Sequence, residues 1–254
     1  MIIRILPEVT IIYVLIFARL GATMMLMPSV GESSIPTTVR LGLSLLLALV
    51  LYPIVAKTYP SGISRSMPML LIYLAGEIAV GVAVGTASRI IMSATQVAGT
   101  IIASQLGLGF AQSVDPSQGQ QGVLFGNFLS MLAVTMIFAT DLHHLAITAA
   151  TSSFTLFPPG QWMPVGDFAQ AAIELTSEAF RVGVQISAPF LAFGLVFYLG
   201  LGVLSKLMPQ FQIFFAAMSL TIIAGLTLFA LLIGTLMLWY MEHVRDGLER
   251  LVPH

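Results

Sequence analysis

The chain has 254 residues, of which 57% are hydrophobic and 8% charged, with a formal net charge of -1 and no cysteine. Soluble domains carry about 25% charged residues, so this composition and a mean hydropathy of +0.98 exclude an ordinary water-soluble fold and point to an integral membrane protein. The near-neutral balance excludes a basic footprint for nucleic acid, and the lack of cysteine excludes disulfides and thiolate metal sites.

Six apolar segments follow, covering residues 9–27, 41–56, 69–110, 123–150, 184–204 and 211–241. All are expected to be helices, because unpaired backbone groups are not tolerated in lipid. The first is read as retained rather than as a signal peptide. Pro7 and Glu8 follow Arg4 at once, Arg19 interrupts the apolar run, and no small-x-small site ends it. Ser33 or Ser34 is expected to cap the second helix, with Pro36 in its first turn. The third segment is too long for one simple crossing. After the fourth, Pro158-Pro159-Gly160 and Pro164 mark an extended connection. The stretch GDFAQAAIELTSEAFR then predicts a short surface helix capped by Asp167. Phe168, Ala171, Ala172, Leu175 and Ala179 fall on one of its faces, and Glu174, Glu178 and Arg181 on another. Six crossings would place Arg4, Lys57, Arg65, Arg181, Arg245 and Arg250 on one side, and Arg40 and Lys206 on the other. That bias predicts cytoplasmic termini.

Ionisable groups inside the apolar segments are few: Arg19, Glu77, Arg89 and Asp141, with His143 and His144 beside the last. A charge at the bilayer centre costs about 2.5–3.5 kcal/mol, so each should face protein or water. Glu77 and Arg89 stand about 120° apart around an ideal helix and should not pair within a straight one. Arg19 and Glu77 could pair across helices. The scattered placement favours structural pairs in packing or assembly over an ion relay, which needs aligned acids. Asp141, His143 and His144 are not expected to converge on a metal, and no further ligand cluster completes a tetrahedral set. No GxSxG, HExxH or P-loop pattern is present, so the reading carries no catalytic residue, no cofactor and no enzymatic activity. Gly76, Gly81 and Gly85, in GEIAVGVAVG, are candidate helix-packing positions, and Gly194, Gly200 and Gly202 repeat the theme.

One stretch breaks the apolar pattern. Residues 107–122 read GLGFAQSVDPSQGQQG, rich in glycine and glutamine, without lysine or arginine. Polar irregular backbone near membrane depth must be buried in protein or line water. Gly107, Gly109, Gly119 and Gly122 allow the chain to fold back, and Asp115-Pro116 favours a turn. Leu106, Leu108, Phe110 and Val114 add apolar bulk able to seal a narrow passage. The other reading is an ordinary surface turn between helices.

Four stretches carry a resemblance to the FliR family of flagellar export-gate proteins and their injectisome counterparts in type III secretion. They are GESSIPTTVRLGLSLLLALV from Gly31, GEIAVGVAVG from Gly76, QLGLGFAQSVDP from Gln105 and SKLMPQFQIFF from Ser205, in order along nearly the whole chain. His143 also lies where the family often has a histidine. The resemblance implies an all-α, non-enzymatic membrane protein whose helices form hairpins. A FliP-like part, residues 1–182, would be followed by a FliQ-like part, residues 183–254. It further implies one copy assembled with FliP-like and FliQ-like subunits around an export channel in the bacterial inner membrane, at the flagellar basal body. FlhA and FlhB would be neighbours, unfolded proteins the cargo, and the loop at residues 107–122 the plug. Two departures stand out: Ser113 where the family often has an aromatic, and Ala217-Met218-Ser219 where many members have Gly-Phe-Pro. The alternatives are an injectisome gate subunit and a stand-alone transporter or channel, the latter motivated by Arg19, Glu77 and Arg89.

Overall fold

The computed structural model describes residues 2–28, 30–31, 35–60, 67–108, 121–161, 165–207 and 213–252. Among them all regular structure is helical. The elements are α1 (Ile2–Leu26), α2 (Thr37–Val55) with a 3₁₀ turn (Ala56–Thr58), α3 (Met67–Met92), α4 (Ala94–Gln105), α5 (Gln121–Ala139), α6 (Leu142–Leu156), α7 (Val165–Leu207) and α8 (Ile213–Glu249). Five spans are long and apolar enough to cross a membrane, α3 and α4 counting as one, and α5 with α6 makes a sixth if taken as one broken span. The chain is thus an all-α membrane protein of the expected segment number.

The third segment is over-long as expected, while other segment boundaries depart from expectation. The third segment is a 39-residue helix, roughly 58 Å long at about 1.5 Å per residue, nearly twice a hydrocarbon core of about 30 Å. It lapses only at Ser93, whose backbone stays helical and whose carbonyl still accepts from Gln96 and Val97. The fourth segment breaks at Thr140-Asp141, where Asp141 takes the left-handed conformation with φ 58° and α6 starts afresh. The expected surface helix is no separate element: α7 runs unbroken for 43 residues. The change from charged to apolar side chains near residue 182 marks a change of surroundings, and no glycine–proline pair or cap accompanies it to stop the helix. Asp167 lies inside the first turn of α7, where its charge favours the helix N-terminus. Pro36 stands at the N-cap of α2, its carbonyl accepting from Val39 and Arg40; Ser33 and Ser34 lie outside the described residues.

The chain divides into two compact units. The first comprises residues 1–91, 137–176 and 244–254. Lipid offers no hydrophobic drive for one helix to seek another, so close contact needs small side chains. In this unit Gly81 and Gly85 of α3 press on α1. A Cβ at Gly81 would collide with the Arg19 carbonyl and Ala22, and one at Gly85 with Leu26 and Thr23. Leu15, Ile16, Leu20 and Met24 of α1 are buried at helical spacing, as are Ala146, Ala149, Ala150 and Phe154 of α6. The second unit comprises residues 92–136 and 177–243. Here Gly99 of α4 meets the backbone of α5 at Gly126, and Gly183 of α7 meets Val97 and the Ala94 carbonyl. Phe229 of α8 packs edge-on to Phe125 at 5.4 Å and against Phe190 at 6.0 Å between centroids.

Candidate functional site

Two places concentrate the residues singled out by chemistry. The first is a buried ion pair in the first unit. Arg19 and Glu77 are 1% and 2% exposed, and Arg19 Nε donates to Glu77 Oε2 at 2.5 Å. A second guanidinium nitrogen donates to the Ser153 carbonyl at 2.8 Å, and the guanidinium lies over the Phe154 ring, 4.3 Å from its centroid. One arginine on α1 thereby engages both α3 and α6. One turn on, the Thr23 hydroxyl is shared between the Arg19 carbonyl at 2.9 Å and the Gly81 carbonyl at 3.2 Å; the latter is reachable because Gly81 brings the backbones together. The Tyr59 hydroxyl is buried near Glu77 without a hydrogen bond of regular geometry. Burial first, then the Glu77 charge, holds its phenol protonated and pushes its pKa well above the ordinary phenol range. The guanidinium is satisfied by carboxylate, carbonyl and ring, an arrangement that fastens helices. Arg89 does not join it; it is exposed in the last turn of α3.

The second place is the start of the stretch at residues 107–122. Helix α4 ends in a complete glycine stop. Gly107 has φ 75°, its N–H donates to the Ser104 carbonyl at 3.2 Å, and the Leu108 N–H donates to the Ala103 carbonyl at 3.2 Å. These are the paired bonds of a Schellman motif. Leu106 is fully buried: it fills the notch left by Gly225 of α8 beside Phe193, while Gln105 lies over Gly194 of α7. Leu106 thus anchors the start of the loop, and Leu108 is half-buried. Phe110, Val114, Asp115 and Pro116 lie outside the described residues.

A profile of the family described as bacterial export proteins, family 1, matches residues 10–247. The chain belongs to the FliR family of bacterial export proteins. It is 43% identical over 239 residues to the flagellar biosynthetic protein FliR of Caulobacter vibrioides, covering 92% of this chain and 93% of that one. To FliR of Bacillus subtilis it is 29% identical over 213 residues, covering 83% and 81%. To the Yop proteins translocation protein T of Yersinia pestis it is 25% identical over 209 residues, covering 81% and 79%. Membership in this family makes the chain a non-catalytic protein.

Other positions fall differently from their sequence pattern. Gly76, Gly200 and Gly202 have open space where a Cβ would stand, so of the six glycines singled out from the sequence Gly81, Gly85 and Gly194 are the ones packed closely within the chain. The ligand atoms of Asp141, His143 and His144 lie within 4.8 Å of one another, which corrects the expectation that they diverge. The carboxylate of the left-handed Asp141 lies 3.9 Å from His144 Nδ1, and the two imidazoles stand 4.1 Å apart between centroids, tilted by 36°. The group sits at a helix N-terminus, whose positive end disfavours a cation. Sequence reasoning passed over one polar cluster. Gln96 Nε2 donates to Ser130 Oγ at 2.9 Å and to Asn127 Oδ1 at 3.3 Å, with Thr95 and Ser130 hydroxyls 2.7 Å apart. Its only signal was two amides within apolar runs 31 residues apart.

Proposed function

We propose that this chain is a non-catalytic subunit of the flagellar type III protein export gate, forming and closing the export channel with FliP-like and FliQ-like subunits. The observation that carries this is 43% identity to a flagellar FliR across 92% of the chain. In this reading residues 107–122 are the plug, held at their start by the glycine stop at Gly107 and the anchor Leu106. The Arg19–Glu77 pair serves assembly: both charges are used up by neighbouring helices, and among the described residues no second acid lies beside Glu77 to continue a relay. Residues 1–182 would be the FliP-like part and residues 183–254 the FliQ-like part. The helix α7 is continuous through that boundary, so the division is one of partners and not of loops. The complex would sit in the inner membrane at the flagellar basal body, beside FlhA and FlhB, with unfolded proteins as cargo. The injectisome reading is supported less, by 25% identity to a Yersinia translocation protein.

The test is native mass spectrometry of the tagged chain purified from its own host in mild detergent. The expected result is one copy bound to several copies of smaller helical subunits. A monomer or homo-oligomer that reconstitutes transport alone would overturn the proposal.

A further inference from the structure

Along the 39-residue helix formed by α3 and α4, the exposed side chains change character. Up to Val82 they are apolar: Met67, Met69, Leu71, Ile72, Ile78 and Val82. Beyond Val82 every exposed position on this helix is polar: Arg89, Thr100 and Ser104. Thr100 and Ser104 are one turn apart, and Gln96 lies one turn before Thr100 on the same face. Asn127 of α5 joins them through Gln96. The two hydroxyls donate to their own helix, to the Gln96 carbonyl at 2.9 Å and the Ile101 carbonyl at 2.7 Å, and so would tolerate lipid. Asn127 would not. It is exposed, its carbonyl oxygen accepts from Gln96, and its amide nitrogen donates to no group among the described residues. An amide left unsatisfied in hydrocarbon costs several kcal/mol. This face therefore needs water or a polar partner. The four polar side chains Gln96, Thr100, Ser104 and Asn127 are themselves uncharged.

We propose that Gln96, Thr100, Ser104 and Asn127 form a neutral, water-contacting track for the backbone of an extended polypeptide in transit. Side-chain amides and hydroxyls donate to and accept from peptide groups, which every protein sequence carries, and an uncharged track neither traps nor repels acidic or basic stretches. The proposal rests on the export-gate reading and adds the residues that meet the cargo.

The chain's lack of cysteine makes the test direct. Single variants Thr100→Cys, Ser104→Cys and Asn127→Cys are compared with Leu231→Cys, an exposed apolar position on α8 in the same unit, in membranes containing the assembled complex. The probe is a membrane-impermeant methanethiosulfonate, applied with and without an export substrate stalled by a stably folded fusion domain. Track positions should label at least ~10-fold faster than position 231, because the reactive thiolate forms far more readily in water, and stalling should suppress that labelling. Labelling no faster than at position 231 overturns the proposal. So does fast labelling that stalling leaves unchanged, since the face would then be wet but off the cargo's route. Thr100→Cys and Ser104→Cys are small changes that keep the test decisive if Asn127→Cys fails to fold. Co-purification with the smaller subunits is scored on the same samples. An assembled chain with an unlabelled track sinks only the track, whereas a chain found without those subunits sinks the gate reading.

Discussion

Replacing Glu77 by alanine would leave the Arg19 guanidinium buried without its counter-charge. Breaking a buried pair by removing one member costs about 3–5 kcal/mol. Arg19 would keep the Ser153 carbonyl at 2.8 Å and the Phe154 ring at 4.3 Å. A hydrogen bond from a charged donor contributes about 1.5–3 kcal/mol and a desolvated cation–π contact about 2, so the loss should fall near the lower end, about 3 kcal/mol. At 1.4 kcal/mol per decade that is roughly a 100-fold shift in the packing equilibrium. The assay is thermal dissociation of the purified complex in detergent, together with the fraction of the chain recovered in it. A double variant, Arg19→Met with Glu77→Leu, removes both charges and should return stability to within about 1 kcal/mol of the original, because a buried pair is near break-even against apolar residues of similar size. The reasoning is refuted if Glu77→Ala assembles and melts like the unmodified chain, or if it assembles normally while changing which ion crosses. The latter would make the pair a relay.

Four further outcomes are expected. Deleting residues 109–120, with the Gly107 stop retained, should make the assembled gate conduct ions; unchanged conductance in an intact complex would count against the plug. Gly107→Ala meets no atom within 4 Å, so it should cost only the left-handed backbone term of about 1–2 kcal/mol, read as faster hydrogen exchange at residues 106–108. Gly81→Ala should lower the melting temperature through overpacking worth about 1–3 kcal/mol, whereas Gly76→Ala, in open space, should hold or raise it by helix propensity of up to about 1 kcal/mol. Tyr59→Phe should leave neutral-pH stability unchanged and reduce alkaline sensitivity. The folded-state pKa is raised, so the phenol's share of stability is complete below about pH 10 and is lost as the unfolded chain ionises above it.

The number and type of apolar helices were legible because composition and length dominate in lipid. Boundaries were legible only where a strong breaker stands, as at Pro158-Pro159-Gly160. The unbroken α7 was missed because its first half is charged and its second apolar, a contrast set by surroundings. The break at Asp141 was missed because its cause is one left-handed residue inside an apolar run. For the site, Arg19 and Glu77 were conspicuous as rare charges. Their pairing spans 58 positions, beyond any helical period, and the third partner, the Ser153 carbonyl, is backbone that side-chain patterns cannot reveal. The contact of Gly99 with Gly126 was also missed: Gly99 is the single glycine of α4, and the spacing of Gly122 and Gly126 in α5 does not say which helix they meet.

The exposed amide of Asn127 and the exposed guanidinium of Arg89 also bear on solubility in lipid. Each is costly against hydrocarbon and cheap against water or a polar neighbour. The environment that suits this chain is therefore not lipid on every side, and its polar exposure is a reason to associate that its apolar surface, at home in the bilayer, does not supply.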